Sequence, residues 1–106
     1  MTALQELLAK VEAGYLSNEG SMFRAFGDEW TDCFDAYHGS LDAAKKLHEA
    51  VLPEYAFSLY EEDNGEFHCL VGNKTDVRIY EECWSLTPAR AWLIAIIKAL
   101  ISEAEL

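Results

Sequence analysis

The chain has 106 residues, 51% of them hydrophobic and 12% aromatic, the size and make-up of a single globular domain around one core. Its formal net charge of −11 arises from 19 acids against 8 bases and is spread evenly, −5 in residues 1–50 and −6 in residues 51–106. A field of that sign repels phosphate backbones and anionic lipid, so direct nucleic-acid binding and membrane association are both disfavoured.

The N-terminus, MTALQELLAKVEAG, contains acids and lacks the basic region and the continuous apolar run of a secretion signal. Thr2 with Gln5 three residues on makes a capping-box pattern, and Leu4, Leu7, Leu8 and Val11 recur at helical spacing. Gly14 can then close this first helix in a left-handed conformation. Between Tyr15 and Tyr37, Ser21 is expected to cap a short helix carrying Met22, Phe23 and Phe26. Gly27 stops that helix, and Trp30 and Phe34 are spaced for a further apolar face. Residues 1–37 thus read as a helical segment preceding a core at 38–106.

The stretch HGSLDAAKKLHEAVLPEY has the grammar of a capped helix. Ser40 sits where a side chain accepts from a free backbone N–H, and Asp42 complements the dipole in the first turn. Leu41, Ala44, Leu47, Val51 and Leu52 make the stripe, and Pro53 ends it. Lys45 and Lys46 face water, and His48, beside Glu49, is expected on the helix surface. A helix N-terminus can also hold an anion, but the serine cap already occupies one of its free donors, which favours the structural role.

After Pro53 the period changes to two. Tyr55, Phe57 and Leu59 face one way, with Ala56, Ser58 and Tyr60 on the other. Glu61 to Gly65 supplies a turn with the Asn-Gly pair typical of tight hairpins. Phe67, Cys69 and Val71 form a second alternating set, with His68 and Leu70 opposite. A turn over residues 72–76 leads to a third strand beginning at Val77 and Ile79, with Arg78 and Tyr80 facing away. Thr87 is expected to cap the last helix, Pro88 takes its favoured first position, and Ala91, Leu93, Ile94, Ile97, Leu100 and Ile101 form a wide apolar face. The order is that of an α+β fold: an antiparallel three-stranded meander between helices, an α-β-β-β-α core plus N-terminal helices. If the N-terminal helices cover the second face of the sheet, the result is an α/β/α sandwich.

The segments GSLDAAKKLHEAVLPEYAFSLY and LTPARAWLIAIIKAL, with the polar hairpin between them, resemble the core of the phage ABA sandwich domain family. SMFRAFGDEW resembles that family's short N-terminal helix ending in Gly and an aromatic. The resemblance implies an α/β/α sandwich encoded by a bacteriophage or prophage, and brings no activity or catalytic residue with it. The same element order resembles the double-stranded-RNA-binding fold, whose last helix grips phosphates with a basic N-terminal end. Here that end reads SLTPAR, with Arg90 alone, close in sequence to Glu81 and Glu82, so the binding surface is missing.

Signals for chemistry are sparse. Cys33, Cys69 and Cys83 are an odd number at spacings that fit neither a disulfide framework nor a zinc motif, which points to a reducing cytoplasm; the phage resemblance implies that this is the cytoplasm of a host cell. Asp28, Asp32 and Asp35 share a face if helical, yet calcium-loop spacing is absent, and a solvated acidic face is preferred to a metal site. His38, His48 and His68 have no paired ligand spacing with the cysteines, and the acidic surroundings oppose thiolate formation. No catalytic residue, metal or cofactor is therefore expected.

Two functional classes remain. The first is a non-enzymatic protein-interaction module, a small accessory protein that docks through Tyr60, His68, Leu70, Arg78 and Tyr80 on the second sheet face. In the same class its acidic surface acts as a decoy of a basic nucleic-acid-binding partner. That face is expected to be covered by the N-terminal helix, by a second copy in a homodimer, or by a foreign protein. The second class is a small-molecule or nucleotide-binding protein, sequestering or hydrolytic, using a cleft lined by Trp30, Tyr37 and Trp84. The lack of a convergent acid/base pair favours the first.

Overall fold

The computed structural model describes residues 2–14, 16, 19–76 and 80–105, and for Glu19 the backbone alone. Helix α1, Ala3–Glu12, opens with the expected capping box: Gln5 N–H donates to Thr2 Oγ1 at 3.2 Å and Thr2 N–H to Gln5 Oε1 at 2.9 Å. Gly14, at φ +71°, ends the turn that follows it. Helix α2, Glu19–Phe26, runs through Ser21, which is therefore not its cap. Ser21 is buried instead, and its hydroxyl accepts from Lys10 Nζ at 2.6 Å, tying α2 to α1. Gly27, at φ +59°, breaks α2, and a single 3₁₀ turn, Gly27–Glu29, redirects the chain into α3, Trp30–Tyr37.

Helix α4, Leu41–Val51, begins as predicted, with Ser40 Oγ accepting from Ala43 N–H at 3.1 Å. At α5, Pro88–Ala104, the expectation holds only in position. Thr87 is the N-cap residue and Pro88 opens the helix, but the Thr87 side chain makes no capping bond. Its backbone N–H donates to Ser85 Oγ at 3.2 Å instead.

Strands β1, Tyr55–Glu61, β2, Phe67–Asn73, and β3, Tyr80–Ser85, form an antiparallel meander in the order β1-β2-β3. Leu59 lies opposite Cys69, and Cys69 opposite Cys83, so the apolar positions of the strands stay in register. Gly65, at φ +88°, sits in the β1–β2 hairpin, which closes with Glu62 N–H on Glu66 O at 2.7 Å. Val77, Arg78 and Ile79, predicted to begin the third strand, lie outside the described residues.

The fold is α+β with the helix–meander–helix core, and one layer differs from the expected sandwich. Helix α5 is buried on its whole circumference from Ala91 to Ile97. The sheet packs on it through Tyr55, Cys69, Val71 and Cys83, and α1, α3 and α4 pack on its remaining sides through Leu7, Val11, Ala36, Tyr37 and Leu47. Helix α1 therefore covers α5 and α2, and leaves the second sheet face open. The reason is chemical: α5 offers apolar side chains all round, whereas on the second face Ser58, Glu82 and the tyrosine hydroxyls interrupt the aromatic and aliphatic surface, so a leucine stripe gains less there.

His48 also departs from expectation. It is 3% exposed, between Trp92 of α5 and Tyr55 and Phe57 of β1. The Trp92 indole N–H donates to Nδ1 at 3.2 Å, so Nδ1 is unprotonated, and Nε2–H donates to the Tyr55 carbonyl at 2.8 Å. The i, i+4 spacing from buried Ala44 is the signal that its neighbour Glu49 obscured.

Candidate functional site

Strand alternation and register together produce a grid on the second face of the sheet. Ala56, Gly72 and Tyr80 form one cross-strand row. Ser58, Leu70 and Glu82 form the next, and Tyr60, His68 and Trp84 the last. Tyr60, Tyr80 and Trp84 are 49%, 54% and 48% exposed, so among the described residues an aromatic sheet face stands uncovered.

The last row is locked by its own contacts. His68 is buried although it lies on the open face, because the Trp84 ring stacks parallel to it at 4.2 Å and the Tyr60 ring meets it edge-on at 4.9 Å. Nε2–H of His68 donates to Glu82 Oε2 at 3.0 Å, and the Tyr60 hydroxyl donates to Nδ1. Trp84 Nε1–H donates to Glu62 Oε1 at 3.2 Å, and the same carboxylate oxygen is 3.7 Å from His68 Nδ1. A phenol–imidazole–carboxylate chain of this kind polarises the Tyr60 hydroxyl. Tyr60 nonetheless stands half in solvent on a flat surface, where preorganised charge has little catalytic leverage.

Two shallow depressions flank that row. One, about 650 Å³, is lined by Ala56, Ser58, Leu70, Gly72, Lys74 and Tyr80, and its apolar floor follows from the small residues Ala56 and Gly72. The other, about 660 Å³, is bounded by Glu62, Asp63, Asn64, Glu66 and Trp84 at the hairpin end.

The predicted surface residues Tyr60, His68, Leu70 and Tyr80 thus lie together on one face, and Arg78 falls outside the described residues. The predicted cleft is brought together only in part: Trp84 lines a depression of about 280 Å³ between the end of α1 and β3, with Arg90, and neither Trp30 nor Tyr37 lines it. Trp30 is half-buried against the helical core, and Tyr37 is buried with the Arg90 guanidinium 4.1 Å above its ring. Arg90 Nη2 also donates to the Tyr37 carbonyl at 3.0 Å. Trp84 instead belongs to the open sheet face, with Glu62 and Glu82. The alternation Tyr80, Glu82, Trp84 was the available signal for that grouping.

The cysteines are free and buried. Burial pushes the Cys33 and Cys69 thiols up to about 12, the nearby Cys83 adding to the effect at Cys69, and burial raises Cys83 as well. Asp28 and Asp35 are exposed and Asp32 half-buried, and among the described residues no group of three or more His, Cys, Asp or Glu is arranged to hold a metal ion. No helix among them is long and apolar enough to cross a membrane. Comparisons with protein-family models, with curated proteins and with solved structures give no significant match to this chain.

Proposed function

We propose that this protein is a non-enzymatic interaction module whose docking surface is the open face of the β-meander. One observation carries the reading: Tyr60 and Trp84, each about half exposed, stand in register on either side of a buried, fully hydrogen-bonded His68, and Tyr80 is exposed at the other end of the same face. Rigid aromatic anchors on a pre-ordered surface bind with little loss of side-chain freedom, and contiguous exposed aromatic surface is characteristic of protein interfaces. The resemblance of the 39–60 and 86–100 segments to the phage ABA sandwich family supports a phage- or prophage-derived accessory role in the host cytoplasm. Three free thiols suit that reducing compartment.

The test is a photo-crosslinking amino acid placed at Tyr80, with Lys45 on the exposed side of α4 as the control position. The expected outcome is a discrete cross-linked protein from position 80 and none from position 45, a self-cross-link identifying the partner as a second copy. Equal labelling from both positions, or none from position 80, would overturn the reading.

A further inference from the structure

We infer that the open sheet face docks a basic protein, and that the partner anchors an arginine against Trp84 between the carboxylates of the β1–β2 hairpin. This rests on the reading of that face as a docking surface, and adds the chemistry of what it takes.

The charge of the sheet decides the kind of partner. Between Glu54 and Ser85 there are eight acids against two bases, a net of −6. Of those bases, Lys74 lines the apolar depression, and Arg78 lies outside the described residues. The open face itself carries Glu82 in its middle row, and its hairpin border carries Glu62, Asp63 and Glu66. An isologous pair of such faces would bring like charges together on a chain that already bears −11, which disfavours a second copy as the occupant. A basic surface meets this one with complementary potential and is steered towards it.

The local geometry narrows the anchor to arginine. One face of the Trp84 ring is taken by His68, with the two planes 1° apart, and the residue's exposed half borders the hairpin depression. Glu62 in that border already accepts from Trp84, and Glu66 accepts from Asn64 Nδ2 at 2.9 Å. Both carboxylates are thereby oriented while keeping most of their acceptor capacity, since a carboxylate offers about four lone-pair sites. A planar guanidinium can stack on an indole and donate in pairs to carboxylates at its edge, whereas an ammonium is a compact, strongly hydrated point charge. The apolar depression begins at Leu70, about 7 Å from His68 along β2, and reaches Gly72 and Tyr80 at about 13 Å, leaving room for a separate apolar anchor of the same partner.

The test uses tri-arginine peptide titrated into the full chain, with tri-lysine and tri-glutamate alongside, followed by backbone and indole NMR shifts. The expected result is saturable movement of residues 61–66 and of the Trp84 indole signal with tri-arginine, smaller movement with tri-lysine and none with tri-glutamate. Glu62→Gln with Asp63→Asn should weaken binding about tenfold or more, the effect of losing charge-assisted bonds. Trp84→Leu should remove the preference for arginine over lysine, circular dichroism confirming that both variants fold. Shifts spread equally over Asp28, Asp32 and Asp35, or undiminished binding by the charge-neutralised hairpin, would overturn the inference. If Tyr80 cross-links a partner while tri-arginine leaves the hairpin unmoved, the arginine anchor falls and the docking face stands. If both experiments fail, both readings fall.

Discussion

His48 and His68 are both buried, and hydrogen bonds from different sources hold them. His48 sits between an indole that can only donate and a carbonyl that can only accept, which leaves the neutral Nε2–H form as the one that satisfies both. His48→Ala leaves the Trp92 donor and the Tyr55 carbonyl without their partner and opens space under Phe57, whose ring is 5.3 Å away. A loss of about 2–3 kcal/mol is expected, read from the urea midpoint of the variant against the parent chain. The buried thiols give a second expectation at this scale. Cys33 and Cys69 have folded values raised from the ordinary 9.0 to about 12. Their unfolded-state thiols ionise first, so the stability they contribute is complete below pH 9.0 and is lost as pH rises towards about 12. Denaturation midpoints should fall over that range, and less so in a Cys33→Ala, Cys69→Ala chain.

Helix starts show how the same sequence signal leads to different energetics. Ser40 and Thr87 both stand at N-cap positions, yet only Ser40 bonds the free backbone donor of its helix. Ser40→Ala should therefore destabilise the protein by about 1 kcal/mol, and Thr87→Ala by less than about 0.5 kcal/mol. Equal shifts in the denaturation midpoint would show that the two caps act alike. Helix α5 needs no hydroxyl cap to hold its place, because Pro88 presets its first turn and burial on every side holds the rest.

At the scale of the whole molecule, the arrangement turns on what α1 covers. Leu7 is fully buried in the core that surrounds α5, so Leu7→Ala should destabilise the chain by about 3 kcal/mol. Because α1 packs on α5 rather than over the second sheet face, the same change should leave the exposure of Trp84 as it was. Acrylamide quenching of Trp84, measured in a Trp30→Phe background under conditions where both chains are folded, checks this. A rise in quenching would mean that α1 shelters the sheet after all.

Local chemistry determined the elements. The Thr2–Gln5 box, the Ser40 cap, Pro53 and Pro88 as boundaries, and the period of two on either side of Asn64-Gly65 act over a few residues, and each is met where the sequence put it. The same alternation brought Tyr60, His68, Leu70 and Tyr80 onto one face, since a meander in register leaves no other choice. What needed the tertiary structure was every decision about which surfaces meet. A leucine stripe in α1 carries no mark saying whether it will lie on a sheet or on a helix, and the all-round apolar surface of α5 won it. His48 was drawn inward by Trp92, 44 residues away along the chain, and Tyr37 was drawn into the helical core under Arg90, 53 residues away. Burial is a competition between distant surfaces, and its outcome depends on the apolar area each of them offers, which no single stretch of sequence contains.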